Sequence, residues 1–375
     1  MDKIKPADNH FVIGLTGNIG SGKSLVRKML EHLGALGVDA DWVTRQASQI
    51  GGPAYDSIVT RFGKGILDKN GEINRKQLGL QVFSGRKALE DLEEILHPLA
   101  SLATRRIIAQ SPLPVVVVEA IKVLESDLAG QCQSIWVVEA DERSVYERLE
   151  RTRGMSPTDA RARLAQQTPA AQMEEKADVV INNNTSIASA WEQVSSAWQA
   201  LPLPTWDAAS FSALQQQAHL LPVDMVGLKQ AHTFMRENPD SLPARFLESQ
   251  RLVDPKINDQ QDLLLRDMLR FYFSAAQENE LAIWNRDGFT CRLEGYQFTA
   301  EHSSEKLETL IKGIEALNAY YLCGKLSLPA RNEDASMLAR LGYDIRKSME
   351  DRSNPALKAG YNLYSKSNPD LLRLF

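Results

Sequence analysis

The stretch IGLTGNIGSGKSLV, residues 13–26, constrains this chain more than any other. A short apolar run ends in a loop rich in glycine, and Lys23, Ser24 and an amphipathic pattern follow at once. Gly17, Gly22, Lys23 and Ser24 fit G-x-x-x-x-G-K-[ST], between a strand expected over His10–Thr16 and a helix expected from Ser24. Glycines let the backbone turn so that successive N–H groups point inward, and the positive end of the following helix faces the same point. The pattern therefore predicts a cradle for a nucleoside triphosphate, built from Gly17, Asn18, Ile19, Gly20, Ser21, Gly22, Lys23, Ser24 and Leu25. Lys23 reaches the β- and γ-phosphates in such a loop, and the Ser24 hydroxyl ligates Mg²⁺.

A cradle of this kind needs a parallel sheet behind it. HFVIGLT, PVVVVEA, QSIWVVEA and ADVVINN are short β-rich runs separated by helical patterns, the rhythm of βαβ units. Between them, SLVRKMLEHLGA places Leu25, Met29, Leu30 and Leu33 on one helix face, and the stretch from Lys87 to Gln110 is amphipathic with an interruption expected at Pro98. The rhythm ends near Asn184. A last helix over SIASAWEQVSSAWQA precedes LPLPTWD, where Pro202 and Pro204 mark a linker. With 375 residues the chain is long enough for two domains, and we expect one over 1–200, a linker over 201–210 and an accessory domain over 211–375.

The formal net charge of −5 argues against nucleic acid as the main partner. No run approaches the roughly 18 apolar residues of a membrane span, and MDKIKPADNH lacks the apolar core of a secretion signal. Cys132, Cys291 and Cys323 are far apart, without metal-ligand spacing, as expected of reduced thiols in the cytoplasm. His10, His32, His219, His232 and His302 show no ligand spacing either.

The next acidic residues separate the classes of triphosphate-binding protein. GVDADWVTRQ puts Asp39 and Asp41 at the expected end of the second strand, where a doubly wound sheet opens to its ligands. Two residues apart on an extended segment, both carboxylates would share one side, one of them close to an acceptor hydroxyl. A GTPase would need an Asn-Lys-x-Asp loop, but VINNNTS stands at the corresponding strand end. A kinase fits better than a GTPase.

IGLTGNIGSGKS, DADWVTRQ, FGKGILDKNGEINRKQL, LEEILHP, IWVVEADERSVYERLERTRGMSPTDARARLAQQ and KADVVINN occur in one order over about residues 11–198. In this the chain resembles the dephospho-coenzyme A kinases, which phosphorylate the ribose 3′-hydroxyl of dephospho-CoA with ATP. The resemblance implies an α/β P-loop kinase with a five-stranded parallel sheet, a helical substrate insert and a lid. It implies ATP and Mg²⁺ at the loop, Asp41 as general base with Asp39 beside it, and Arg75 and His97 in the insert facing the acceptor. Arg148 and Arg153 match the lid, where positive charge closing over ATP stabilises the transferring group and excludes water. Arg151, Arg161 and Arg163 share that segment and read as solvated.

Some positions depart from the family pattern. Asn18 stands where many relatives have a second glycine. VVEAIKVLES replaces a shorter Pro-Leu-Leu segment; Glu125 takes the family's acidic position, while Glu119 and Lys122 are unusual and are expected to reshape the acceptor pocket. Two other function classes share the generic features: a P-loop kinase acting on a nucleoside or nucleotide, and a non-catalytic nucleotide-binding regulator. A mere binder needs neither the acid pair nor the arginines.

The second half is patterned best from ELAIWNRDGFTCRLEGYQFT onward, two β-like runs around Asp287 and Gly288, then a helix over SEKLETLIKGIEALNA and the run YYLCGKLSL. With Asn332, Ala335, Leu341, Gly342 and Tyr343 after it, this order resembles the later half of GNAT-type acyltransferases. The glycine loop that binds acyl-CoA pyrophosphate in that family is replaced by AEHSSEKL, whose side chains block close backbone approach. The resemblance implies a second α/β domain without acetyl transfer.

Overall fold

A computed structural model describes residues 10–82, 85–202, 272–274, 281–297, 303–320, 322–345 and 361–367, with short pieces between 235 and 243. Packing divides the chain into two compact units, one formed mainly by residues 1–184 and the other by 185–201 and 205–372. The expected linker lies outside the described residues beyond Pro202, as do His219, His232 and His302.

The first unit is built on five parallel strands in the order β2-β3-β1-β4-β5. These are β1 (Phe11–Thr16), β2 (Leu36–Asp39), β3 (Val115–Glu119), β4 (Ser134–Glu139) and β5 (Val179–Asn182). Every residue of β1 and β3 is buried, which explains why both read as unbroken apolar runs without alternation: strands covered on both faces have no solvent side. At the centre Gly14 lets β1 pass close to its cover, since a Cβ there would lie 2.8 Å from Cys132 Sγ and 2.9 Å from Ile135 Cδ1. Because all five strands run the same way, the loop after Thr16, Asp39, Glu119, Glu139 and the residues after Asn182 meet along one edge.

Helices fill the connections. The first, α1 (Lys23–His32), lays Val26, Met29 and Leu30 on the sheet, with Leu25 less deeply covered than its spacing suggested. Between β2 and β3 comes the helical insert: α2 (Ala40–Ala47), α3 (Tyr55–Phe62), α4 (Arg75–Val82) and α5 (Arg86–Gln110). It owns a small core of Ala54, Ile58, Phe62, Ile66, Leu78 and Val82, against which Leu92, Ile95, Leu96 and Leu99 of α5 pack. Pro98 does not interrupt α5, contrary to expectation; the helix runs on through it. A proline inside a helix costs about 3 kcal/mol, and apolar contacts on both sides, Leu96 and Leu99 in the insert and Ala103, Ile107 and Ile108 further along, offset that cost.

After β4 the chain forms α6 (Glu142–Arg153), α7 (Pro157–Leu164) and α8 (Ala170–Glu174). The sequence writes these boundaries openly. Asp141 caps α6 by accepting from Ser144 N, Gly154 ends it in the left-handed conformation at φ 58°, and Ser156 caps α7 with Pro157 in its first turn. Val145, Leu149 and Ala160 of this segment bury Ile19 of the glycine loop.

The second unit contains α9 (Ile187–Gln199) and a six-stranded sheet in the order β10-β11-β9-β8-β7-β6. The strands are β6 (Tyr272–Ser274), β7 (Leu281–Asp287), β8 (Thr290–Gln297), β9 (Lys325–Ala330), β10 (Asp344–Ile345) and β11 (Asn362–Ser367). All neighbours are antiparallel except β8 and β9, which are parallel and joined by α10 (Ser304–Tyr320). The hairpin expected at Asp287 and Gly288 joins β7 to β8, and α11 (Ala335–Arg340) follows β9. No disulfide joins Cys132, Cys291 and Cys323.

Leu15 is fully buried in the central strand, beside Glu119 of β3 and Trp136 of β4. Leu15→Ala should cost about 2–5 kcal/mol of stability, the range for a core leucine, read as a lower urea midpoint for the first unit. A loss below about 1 kcal/mol would mean that the sheet centre can collapse around the cavity.

Candidate active site

Between Thr16 and Lys23 the backbone takes conformations that side chains resist. Gly17, Gly20 and Gly22 have φ of 145°, 79° and 101°. A Cβ on Gly17 would fall on the carbonyl oxygen of Val138, and one on Gly22 on the Asn183 side-chain amide. Gly22 precedes α1 and offers no side-chain cap, so the positive helix end is left for an anion. Lys23 folds back over the loop, its Nζ donating to the carbonyls of Gly17 at 2.8 Å and Asn18 at 3.0 Å. Burial lowers its pKa, opposed by the charges of Glu119 and Asp41 and reinforced by that of Arg153. The loop is thus in place, with its lysine poised at its mouth.

Other elements brace it from behind. Asn183, buried just past β5, donates through Nδ2 to Ser21 O at 2.8 Å, and Gln167 accepts from Ile19 N at 2.8 Å. Arg148 of α6 donates to Asn183 O at 2.6 Å, Ser21 O at 3.2 Å and Gly20 O at 3.4 Å. Its pKa is lowered by burial first and by Arg151 second. The structure therefore places Arg148 on the carbonyls of the glycine loop. Arg153, at the end of α6, is exposed and lines an open cleft with Met155, Asp159, Arg163 and Gln166. Asn183 and Gln167 escaped the sequence reading because each acts from more than 140 positions away; their side chains differ in nothing from ordinary amides until the chain is folded.

The acid pair is arranged differently from expectation. Asp39 ends β2, and its carboxylate caps α2 by accepting from Trp42 N at 2.9 Å. Asp41 already belongs to the first turn of that helix, so the two acids do not share an extended segment. The strand stops because the cap turns it. Asp41 is exposed over part of its surface, yet nearby protein atoms desolvate its carboxyl, and this, with the charge of Asp39 second, raises its pKa. Arg45, one turn along α2, lies 3.5 Å from Asp39. Its charge also lowers the pKa of Arg75, after the larger effect of desolvation. Asn74 caps α4 and so sets Arg75 in its first turn, accepting from Gln77 N at 3.2 Å. Asp39, Asp41, Arg45 and Arg75 form one electrostatic group, and Arg45 was not singled out from the sequence.

His97 is exposed on α5. Glu125, in a short 3₁₀ turn after β3, accepts from Thr168 Oγ1 at 2.6 Å. Lys122 reaches Glu93 of the insert at 3.0 Å. Glu119, at the end of β3, is held by α1: its Oε1 accepts from Ser24 Oγ at 2.7 Å and its Oε2 from Arg27 Nε at 2.7 Å. Among the described residues no cluster of three His, Cys, Asp or Glu could hold a metal. A serine hydroxyl backed by one carboxylate suits Mg²⁺ that takes most of its ligands from phosphate and water. The donor set at Ser24 fits that ion.

The site can be set beside known proteins. The family model described as dephospho-CoA kinase matches residues 11–189. The dephospho-CoA kinase of Geobacter sulfurreducens is 38% identical over 190 residues, which make up 50% of this chain and 96% of that one. That of Geobacter metallireducens is 40% identical over 195 residues, again 50% and 96% of the two chains. Among solved structures, TT1252 from Thermus thermophilus is 26% identical, covers 52% of this chain and 98% of its own, and superposes with a TM-score of 0.47. With a relative matched over nearly its whole length at this identity, the chain belongs to the dephospho-CoA kinase family.

Proposed function

We infer that this chain transfers the γ-phosphoryl group of ATP to the ribose 3′-hydroxyl of dephospho-CoA, giving CoA and ADP, the last step of coenzyme A synthesis. The observation that carries the assignment of roles is the meeting of a glycine-turned loop, whose helix end has no side-chain cap, and a desolvated carboxyl, Asp41, at the carboxyl edge of one parallel sheet. Residues 17–25 bind the triphosphate through backbone N–H groups, and Lys23 leaves the loop carbonyls for the β- and γ-phosphates as the nucleotide enters. Asp41 takes the proton from the 3′-hydroxyl while the oxygen attacks phosphorus in line with departing ADP. Asp39 fixes the start of α2, and thereby Asp41. Arg75 and Arg45 supply positive charge for the acceptor's phosphates, with His97 and Glu125 on the acceptor side. Arg153 closes over the nucleotide from the lid, and Arg148 keeps the cradle in shape. Ser24 would hold Mg²⁺, which neutralises charge on the β- and γ-phosphates when bound. The reaction suits a cytoplasmic enzyme.

The second unit we read as an accessory domain of acyltransferase type without transfer activity. A parallel pair, β8 and β9, linked by α10 within an otherwise antiparallel sheet supports this. So does the lack of glycine in the segment 300–307, of which residues 300–302 lie outside the described residues.

Steady-state kinetics distinguish the roles. Lys23→Ala should weaken ATP binding and turnover together. Asp41→Asn should leave ATP binding within a few-fold and lower kcat by roughly 10²- to 10⁴-fold, the range for a positioned base; near-normal kcat would remove Asp41 from that role. ADP release measured with dephospho-CoA, adenosine and AMP as acceptors tests the assignment itself, and preference for adenosine or AMP would overturn it.

Asp41 also predicts a pH dependence. A carboxyl with a raised pKa becomes the competent base only at higher pH, so kcat/KM should fall on acidification at a pH above the usual value of about 3.9. Removing the neighbouring charge by Asp39→Asn should move that limb downward, and a limb unmoved by both Asp39→Asn and Asp41→Asn would belong to another group.

The relatives also speak to autonomy. Since 190 matched residues are 96% of the Geobacter sulfurreducens protein, that protein has no room for a counterpart of the second unit. A fragment of residues 1–200 should therefore fold and turn over dephospho-CoA, checked by circular dichroism and ADP release. Absence of ATP binding in a folded fragment would make the kinase dependent on the second unit.

A further inference from the structure

A buried line of charges runs from β2 to the glycine loop. Gly37 of β2 has no side chain, and a Cβ there would fall on the Glu31 carboxylate of α1, which occupies that space. Glu31 is 1% exposed. It pairs with Arg27 one turn earlier, and with Lys28 Nζ at 3.2 Å. Arg27, itself buried, donates through Nε to Glu119 Oε2 at 2.7 Å. The other oxygen of Glu119 takes the Ser24 hydroxyl at 2.7 Å. Burial disfavours the charge on Arg27, and the two carboxylates more than offset it.

We propose that Arg27 and Glu31 are positioning residues for phosphoryl transfer, a buried relay that holds the Glu119 carboxylate in the orientation that receives the Ser24 proton and so presents the serine lone pairs to the cation on the nucleotide. The geometry leaves each member one arrangement. A glutamate carboxylate turns freely about its last bond unless both oxygens are held, and here Ser24 holds one and Arg27 the other. The Arg27 fork is fixed in turn by Glu31, and Glu31 by the gap at Gly37. A serine hydroxyl that did not give its proton to Glu119 could turn it outward and meet the cation with hydrogen instead of a lone pair. Carboxylates that orient a metal-binding side chain from behind typically change metal affinity or activity by 10- to 100-fold when lost.

The proposal rests on Ser24 as the metal-side ligand, and the test separates the two. ATP binding to the full chain is measured by calorimetry with excess EDTA and with MgCl₂, for Arg27→Met, Arg27→Lys, Glu31→Gln, Gly37→Ala and Ser24→Ala. In wild type the ratio of the two affinities gives the gain from Mg²⁺. Ser24→Ala and Arg27→Met should each lose about ten-fold of that gain. Glu31→Gln and Gly37→Ala should lose a smaller part from further away, and Arg27→Lys should lose less than Arg27→Met. If Ser24→Ala loses the gain while the Arg27 and Glu31 variants keep it, the relay is refuted and the Ser24 role stands. If Ser24→Ala keeps the gain, the Ser24 role fails and the relay with it. An equal fall with and without metal would make Arg27 and Glu31 supports of the fold alone. Should Arg27→Met fail to fold by circular dichroism, Arg27→Lys and Glu31→Gln carry the same comparison.

Discussion

The rest of the first unit depends on a loop that must offer backbone hydrogen to an anion and therefore cannot carry side chains where the chain turns. Gly17 and Gly22 meet that demand at φ values above 100°, with Val138 and Asn183 already occupying the space a Cβ would need. Of the loop's side chains, Ile19 is packed under Val145, Leu149 and Ala160. The loop's shape is maintained by neighbours: β1 before it, α1 after it, Asn183 and Arg148 on its carbonyls, Gln167 on the N–H of Ile19. Charge-assisted hydrogen bonds from a half-buried guanidinium are stronger than neutral ones, so Arg148 is suited to hold a strained backbone ready before the nucleotide arrives.

Electrostatics at the carboxyl edge then follow from crowding. Three carboxylates, Asp39, Asp41 and Glu119, act on Lys23 together, while burial and Arg153 work against its charge. Asp39 and Glu119 are each committed to a partner, Asp39 to Trp42 N and Arg45, Glu119 to Ser24 and Arg27. Asp41 makes no such commitment among the described residues, and desolvation first, with the charge of Asp39 second, raises its pKa. One sheet edge thus holds neighbouring acids in different surroundings, two bound to partners and one desolvated.

Much of this was legible in the sequence wherever the signal is local. The loop motif and the strand runs of β1, β3, β4 and β5 each lie within a few residues of what they determine. Reading failed where the determinant is distant or where two local rules compete. Asp39 could extend a strand or cap a helix, and capping won, which carried Asp41 into α2. Pro98 breaks a helix by local rule, but tertiary contacts on both sides kept α5 whole. The bonds of Glu119 to Ser24 and Arg27 could not be read because those partners are 95 and 92 positions away. The helix, strand and hairpin patterns of residues 281–330 were readable for the same local reasons, whereas the parallel pairing of β8 with β9 is a matter of long-range registration.

The two reacting ends of the site are consequently held by different physics. Asp41 is placed by its own neighbourhood, a cap three residues long that any fold ending a strand in Asp could build. Ser24 is oriented through a chain of buried charges reaching from β2 and β3 into α1, each link costly to desolvate alone and tolerable only because the next is present. Removing one member of such a chain strands the others without a partner, whereas exchanging the whole set for apolar side chains of equal volume need not destabilise the fold. A buried network retained beneath a catalytic loop, where three well-packed apolar residues would serve stability as well, is therefore understood by what it orients. Gly37 belongs to the same account: its missing side chain is the space in which Glu31, and through it the orientation of Ser24, is kept.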